Sequence, residues 1–318
     1  MRLALAALAF AFLPSQPDTL KLGVAKGAKL TTSNSVSIDA DLKDASIKVG
    51  GRELPPEVVE KFEFSSSMHT ETQFEDEYVS VDGARPTELV RSYRKATEHT
   101  KQHTFFPGAK PQDEDKTVES PLVDHAVAFT WDEKAEKYAR DYKGDEGEKA
   151  WLEKLEARMD FAQILPSGKV EVGDTWKIDE KLFEEITSPG GSLSFPKKSK
   201  HDDDEMFKNA RGSIEARYDG KREVQGRELS VIHLHTDLSV ALDPDEGAEM
   251  PMKIELQLDL EGDYLWDSEH GHLASFDLEG PVRMDFSIAQ EITVKDQKLE
   301  MEMKFELAGA CKVSGKIE

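Results

Sequence analysis

The chain has 318 residues, with 64 Asp plus Glu against 41 Lys plus Arg, a net charge of −23. So acidic a surface repels nucleic acid and anionic lipid headgroups, which excludes functions built on phosphate contacts. The single cysteine, Cys311, excludes an intramolecular disulfide, so a chain of this length must be held by its apolar core.

In chain order, Met1 and Arg2 precede an unbroken apolar run from Leu3 to Leu13. One positive charge, a short apolar stretch and small residues after it predict a secretory signal over residues 1–17. Ala9-Phe10-Ala11 and the region of Ser15 are alternative cleavage positions. A membrane helix needs roughly 20 apolar residues, and no run here reaches that length. A lipid anchor would need a Cys directly after the signal, whereas Cys311 lies near the other end. The expectation is therefore an exported, soluble chain, periplasmic or extracellular, with no membrane span, lipid anchor or nucleic-acid partner.

Period-two alternation then dominates. Val36, Ile38, Ala40 and Leu42 alternate with Ser37, Asp39 and Asp41, which predicts a strand with one buried face. His99 and His103 would share one face of a helix, or lie ~13 Å apart on a strand. Residues 108–117, framed by Pro107 and Pro111 and carrying Gln112-Asp113-Glu114-Asp115, read as a loop. Phe129-Thr130-Trp131-Asp132-Glu133 is followed by an Ala-, Glu- and Lys-rich stretch that fits a helix or a strand turn equally well. One main amphipathic helix is expected near 145–164. There Asp145 and Glu148 have capping-box spacing, and Trp151, Leu152, Leu155, Met159 and Ala162 recur at helical period until Pro166. Residues 188–211, with Pro189-Gly190-Gly191, a lysine cluster and Asp202-Asp203-Asp204-Glu205, read as a mobile charged linker.

Beyond it, Ile232, Leu234, Leu238, Val240 and Leu242 mark one buried strand face and leave His233, His235 and Asp237 on the other. Met252 to Leu260 alternates in the same way. Tyr264-Leu265-Trp266-Asp267-Ser268 repeats the earlier Trp-Asp pattern, and His270 and His272 flank Gly271 in a turn that follows. Val282 to Ile288 and Leu299 to Leu307 form a long hairpin with one apolar face, and Cys311 continues the inward phase. The fold class expected is mainly β (α+β): long twisted antiparallel sheets in two related half-barrel lobes, residues 18–187 with the helix and residues 212–318.

Chemistry-bearing patterns are sparse. No Gly-x-Ser-x-Gly elbow, phosphate loop or His-Glu-x-x-His motif is present, and Gly190-Gly191-Ser192-Leu193-Ser194 matches the elbow in composition only. No catalytic residue and no cofactor is expected. His233, His235 and Asp237 are the weak metal candidates, because imidazoles two apart on a strand can share one ion. Trp131, Trp266, Met301 and Met303 are the weak ligand-binding candidates, because Met adapts to varied lipid shapes.

Ile164-Leu165-Pro166 followed by Val170-Glu171-Val172-Gly173-Asp174-Thr175-Trp176 resembles a signature of uncharacterised bacterial exported β-rich proteins. The resemblance covers roughly residues 120–285 and carries over no site residue. More distantly, long curved strands under a covering helix are similar to the outer-membrane lipoprotein-carrier superfamily, half-barrels that hold acyl chains on their concave side. The resemblance implies binding or carriage of an apolar small molecule between sheet and helix. A structural module that docks an envelope protein is the alternative, and a metal-dependent hydrolase at His233 and His235 is the third reading.

Overall fold

The computed structural model describes residues 17–83, 85–144, 146–157, 161–195, 210–242, 252–294 and 297–318. Nearly all of the expected signal segment lies outside them. The first half contributes β1 (Asp18–Thr19), β2 (Lys29–Val49), β3 (Arg52–Glu53), β4 (Glu63–Asp82), β5 (Arg85–Phe105), β6 (Gln112–Glu119), β7 (Ala126–Asp132) and β8 (Lys137–Tyr142). The remainder contributes β9 (Lys169–Val170), β10 (Thr175–Ile178), β11 (Arg211–Val224), β12 (Arg227–Leu242), β13 (Met252–Asp267), β14 (His272–Val294) and β15 (Gln297–Ile317). Two short helices, α1 (Pro56–Val59) and α2 (Leu182–Thr187), complete the regular structure of the described residues.

The mainly β, antiparallel fold predicted by the alternation is present, as one open sheet and not a closed barrel. Thirteen strands join in the order β10-β11-β12-β13-β14-β15-β2-β4-β5-β7-β8, with β3 on β2 and β6 on β5, while β1 pairs with β9 apart from it. Strands from both halves thus share one sheet, because β2 lies between β15 and β4. A strand of 21 residues such as β15 spans about 65–70 Å. Its odd residues Leu307, Cys311, Val313 and Ile317 are buried, and Glu302, Lys304, Lys312 and Lys316 face out. The inner apolar residues gather in two clusters. One centres on Ile232, Leu234, Leu260, Trp266 and Val313, the other on Phe74, Leu89, Tyr93, Leu122 and Phe129.

Neighbouring strands come closest where glycine removes side chains. A Cβ at Gly262, Gly280 or Gly309 would lie 1.9, 2.0 or 1.8 Å from the carbonyl oxygen of Asp277, Asp259 or Asp39, respectively. These three glycines stand on β13, β14 and β15, so neighbouring strands approach there more closely than any other residue allows. Register shifts at Gln73/Phe74, Leu265/Trp266 and Glu306/Leu307 add local twist.

The inner face is covered, but not by the expected helix. Within 145–164 the described residues form only short 3-10 turns, Lys149–Leu152 and Ala162–Ile164, with Asp145 and Met159 outside the described residues. Leu152, Leu155 and Ala157 still bury themselves in the second cluster and Phe161 and Ile164 in the first. What changes is where the backbone carbonyls go. Arg91 donates to the carbonyl oxygens of Glu156 and Ala157 at 2.8 and 3.0 Å, and Arg140 to that of Leu155. Tyr142 serves Glu148, Tyr264 serves Phe161, and the Ser192 N–H reaches the Lys154 carbonyl. Donors on the sheet and in the 188–195 segment thereby satisfy an irregular strap that would otherwise need helical bonds.

Two loop expectations also change. Residues 112–117 belong to β6, whose Asp113 and Asp115 meet His103 and His99 across the ladder. Of the segment expected as a mobile linker, residues 188–195 pack against the strap. Leu193 is buried, and Leu155 forms a β-bridge with Gly191; residues 196–209 lie outside the described residues. The Gly173-Asp174 turn forms as read, with Asp174 Oδ2 accepting from the Glu171 N–H at 2.8 Å. Val172, however, points outward and is 58% exposed, because the strand ends at Val170.

The two Trp-Asp segments occupy equivalent places. Each ends a strand, β7 or β13, and opens a hairpin of four loop residues, with Asp132 opposite Lys137 and Asp267 opposite His272. Asp132 Oδ1 accepts from the N–H groups of Lys134 and Ala135, and Asp267 Oδ1 from those of Glu269 and His270. An aspartate that ties down its own turn is the physical content of the repeat. It also resolves residues 132–143, which form a turn and a strand.

Candidate binding site

The inner apolar phase runs beyond the strap. On β14 and β15, Leu307 is 2% exposed and Ile288 9%, whereas Met284, Phe286, Met301, Met303 and Phe305 are only half-buried. Cross-strand pairing sets them side by side. Met303 lies between Ile288 and Ile47, Phe305 between Phe286 and Ala45, and Met301 between Gln290 and Val49. Met252 and Ile254 on β13 extend the row opposite Ile288 and Phe286.

A small wall stands at this end. After β3 the chain turns into α1, started by Pro56 in its first turn, and reaches Phe62. The Phe62 ring lies 6.5 Å from Phe305 and 5.2 Å, edge-on, from Phe106. Phe106 is 42% exposed, one of the two large apolar side chains exposed to that degree among the described residues. The result is an apolar shelf with aromatic rings at one side and two flexible methionines on its floor. Its floor carries one polar side chain, Gln290, and the exposed Arg52 stands at its margin opposite Val49, so its main chemistry is contact with apolar surface.

Of the four ligand candidates, the structure brings Met301 and Met303 together on this shelf and leaves the two tryptophans elsewhere. Trp266 is fully buried in the first core cluster, stacked on Tyr264 with ring centroids 6.3 Å apart. Trp131 is half-buried on β7, with the Arg85 guanidinium 4.3 Å above its ring and Tyr138 at its edge. Sequence reading missed Phe62 and Phe106, which lie outside any alternating run; Phe62 meets Phe305, and Phe106 meets Phe62, only through the fold.

His233, His235 and Asp237 do share the outward face of β12. Each imidazole, however, faces a carboxylate on β13. His233 Nδ1 is 3.4 Å from Asp263, which also takes Arg222 at 2.9 Å, and His235 Nδ1 is 3.7 Å from Asp259. The row consists of cross-strand pairs; among the described residues no three His, Cys, Asp or Glu side chains are placed to hold a metal ion. His270 sits in its turn at 3.0 Å from Asp267, and His272 is buried with Nδ1 against the Leu273 carbonyl. Cys311 is buried, and desolvation pushes its thiol up to about 11.

A polar groove of about 370 Å³ lies across β15, β2, β4 and β5, lined by Ser33, Ser35, Gln73 and Ser314 beside the Lys95–Glu71 pair. Hydrogen bonding to Lys95 holds the Glu71 carboxyl below its usual range. The groove exists because serines stand where the flanking outward residues are long, and both of its lining charges just named are already paired. Among the described residues, no helix is long and apolar enough to cross a membrane. No family model matches the chain, and no curated protein matches it in sequence.

Proposed function

We propose that the chain is an exported, non-catalytic binding protein that holds an apolar, chain-like ligand on the shelf floored by Met301, Met303 and Phe305. One observation carries this reading: the inner face of β13–β15 stays apolar past the end of its covering strap. Exposed apolar surface of this kind is costly in water and usually marks a contact site. The N-terminal signal pattern supports export, and the likeness to acyl-chain-holding half-barrels supports the ligand class. The ligand lies against the sheet end beside Phe62, rather than beneath a long helix.

A fluorescent fatty-acid displacement titration tests it. Saturable binding is expected, weakened at least about tenfold by Met303→Asp, which sets a charge on an apolar floor, and unaffected by Trp131→Ala. No saturable binding, or binding indifferent to Met303→Asp, would refute the proposal. A protein-docking role is the second reading, favoured by β6, which pairs with β5 alone. It predicts a stoichiometric partner in a pull-down and an empty lipid extract.

A further inference from the structure

The outer face of β4, β5 and β6 carries three histidines, each set against a carboxylate. His103 on β5 bridges both neighbours: its Nε2 is 3.4 Å from Glu63 Oε2 on β4, and its Nδ1 is 2.7 Å from Asp113 Oδ1 on β6. A neutral imidazole has a single N–H and can donate to only one of them, turning a lone pair toward the other; the imidazolium donates to both. His99 Nε2 lies 2.7 Å from Asp115 Oδ1, whose other oxygen is 3.7 Å from Lys101 Nζ. Opposite His99 on β4 stands His69, itself 3.7 Å from Glu71.

Besides these pairs, β6 is held by its backbone ladder to β5, from Thr97 opposite Glu119 to Thr104 opposite Gln112. It pairs with β5 alone, and only Lys116 and Val118 among its side chains are even half-buried. Glu98 and Glu114 belong by register to the opposite face. The groups that face His103 are therefore Glu63, Asp113 and, two residues along, Lys101; those that face His99 are Asp115, His69 and Lys101.

We propose that β6 is an acid-set clamp: charged His103, aided by His99, holds Asp113 and Asp115, and deprotonation loosens β6 and opens the β5 edge over residues 97–104. The hydrogen bond to Asp113 raises the His103 pKa, against slight desolvation, and Glu63 adds to the rise. A raised folded-state pKa means the clamp is complete below the ordinary value of about 6.5 and is lost as pH rises through the raised one. Asp115 is shifted down by its bond to His99, so it stays charged across that window. An opened β5 edge is a template for pairing with another strand, so the clamp would hide that edge in acid and offer it once the pH rises past the raised His103 pKa.

Hydrogen exchange at pH 5.5 and 8.5, corrected for intrinsic rates, tests this on the whole protein. Amides of β6 should open about threefold to tenfold more readily at pH 8.5, a size set by the solvent exposure of both pairs, while β12 stays unchanged. His103→Gln should remove most of that pH dependence without altering protection in β12. Equal β6 protection at both pH values, or a His103→Gln variant that responds like the wild type, overturns the clamp.

Discussion

Arg91 makes four hydrogen bonds with no exposure to solvent, two to Asp76 at 2.8 and 2.9 Å and two to the carbonyls of Glu156 and Ala157. Asp76 holds the guanidinium charged and raises its pKa against the large opposing effect of desolvation. The planar fork reaches the sheet carboxylate and the strap carbonyls together, which a lysine ammonium cannot do. Arg91→Lys should destabilise the fold by about 3–5 kcal/mol in urea denaturation, because it leaves buried groups unpaired. An Arg91→Met, Asp76→Leu double variant removes both charges yet still orphans two carbonyls. It should recover only part of the loss, remaining roughly 2 kcal/mol or more below wild type. Cys311 gives a second test at this scale. With its pKa pushed up to about 11 by burial, the native thiol should resist alkylation at pH 8 and react only as fast as the fold opens; mass spectrometry of timed iodoacetamide quenches measures this directly.

At the scale of elements, the two Asp-led hairpins differ where their loops close. Both place a residue in the left-handed region before the return strand, Glu136 with φ 49° and Gly271 with φ 69°. Glu136→Gly relieves that strain and should stabilise the protein by about 0.5–1 kcal/mol in thermal or urea unfolding. Gly271→Ala should destabilise by clearly more than this, since its Cβ would also meet the Gly23 backbone at 2.5 Å. The strands were legible because a period of two needs only neighbouring residues, as along Leu299 to Leu307. The strap was not. Trp151, Leu152 and Leu155 have helical spacing, and the helix is displaced by donors at Arg91 and Arg140, which no local pattern announces. β6 escaped for a related reason: its acids look like a loop until His99, Lys101 and His103 on the adjoining strand are set beside them.

At the scale of the whole molecule, the halves that composition and the charged segment suggested are bound by β2, hydrogen-bonded to β15 on one side and β4 on the other. Leu30 on β2 packs against both apolar clusters. Alternation along β2 reveals its buried face but not its partners, so this seam was invisible in the sequence, as was the coming together of Phe62, Phe106 and Phe305 on the shelf. A ladder that continuous transmits loss of one cluster to the other, since unfolding either strips β2 of one set of backbone bonds. Trp151 packs against the second cluster, while Trp176 and Trp266 belong to the first. Single-tryptophan variants that retain Trp151 or Trp266 should therefore report the same urea midpoint, and Arg91→Lys, placed wholly in the second cluster, should lower both midpoints together. Two separated midpoints, with Arg91→Lys moving only the Trp151 signal, would mean that β2 joins the clusters in space without coupling their stability.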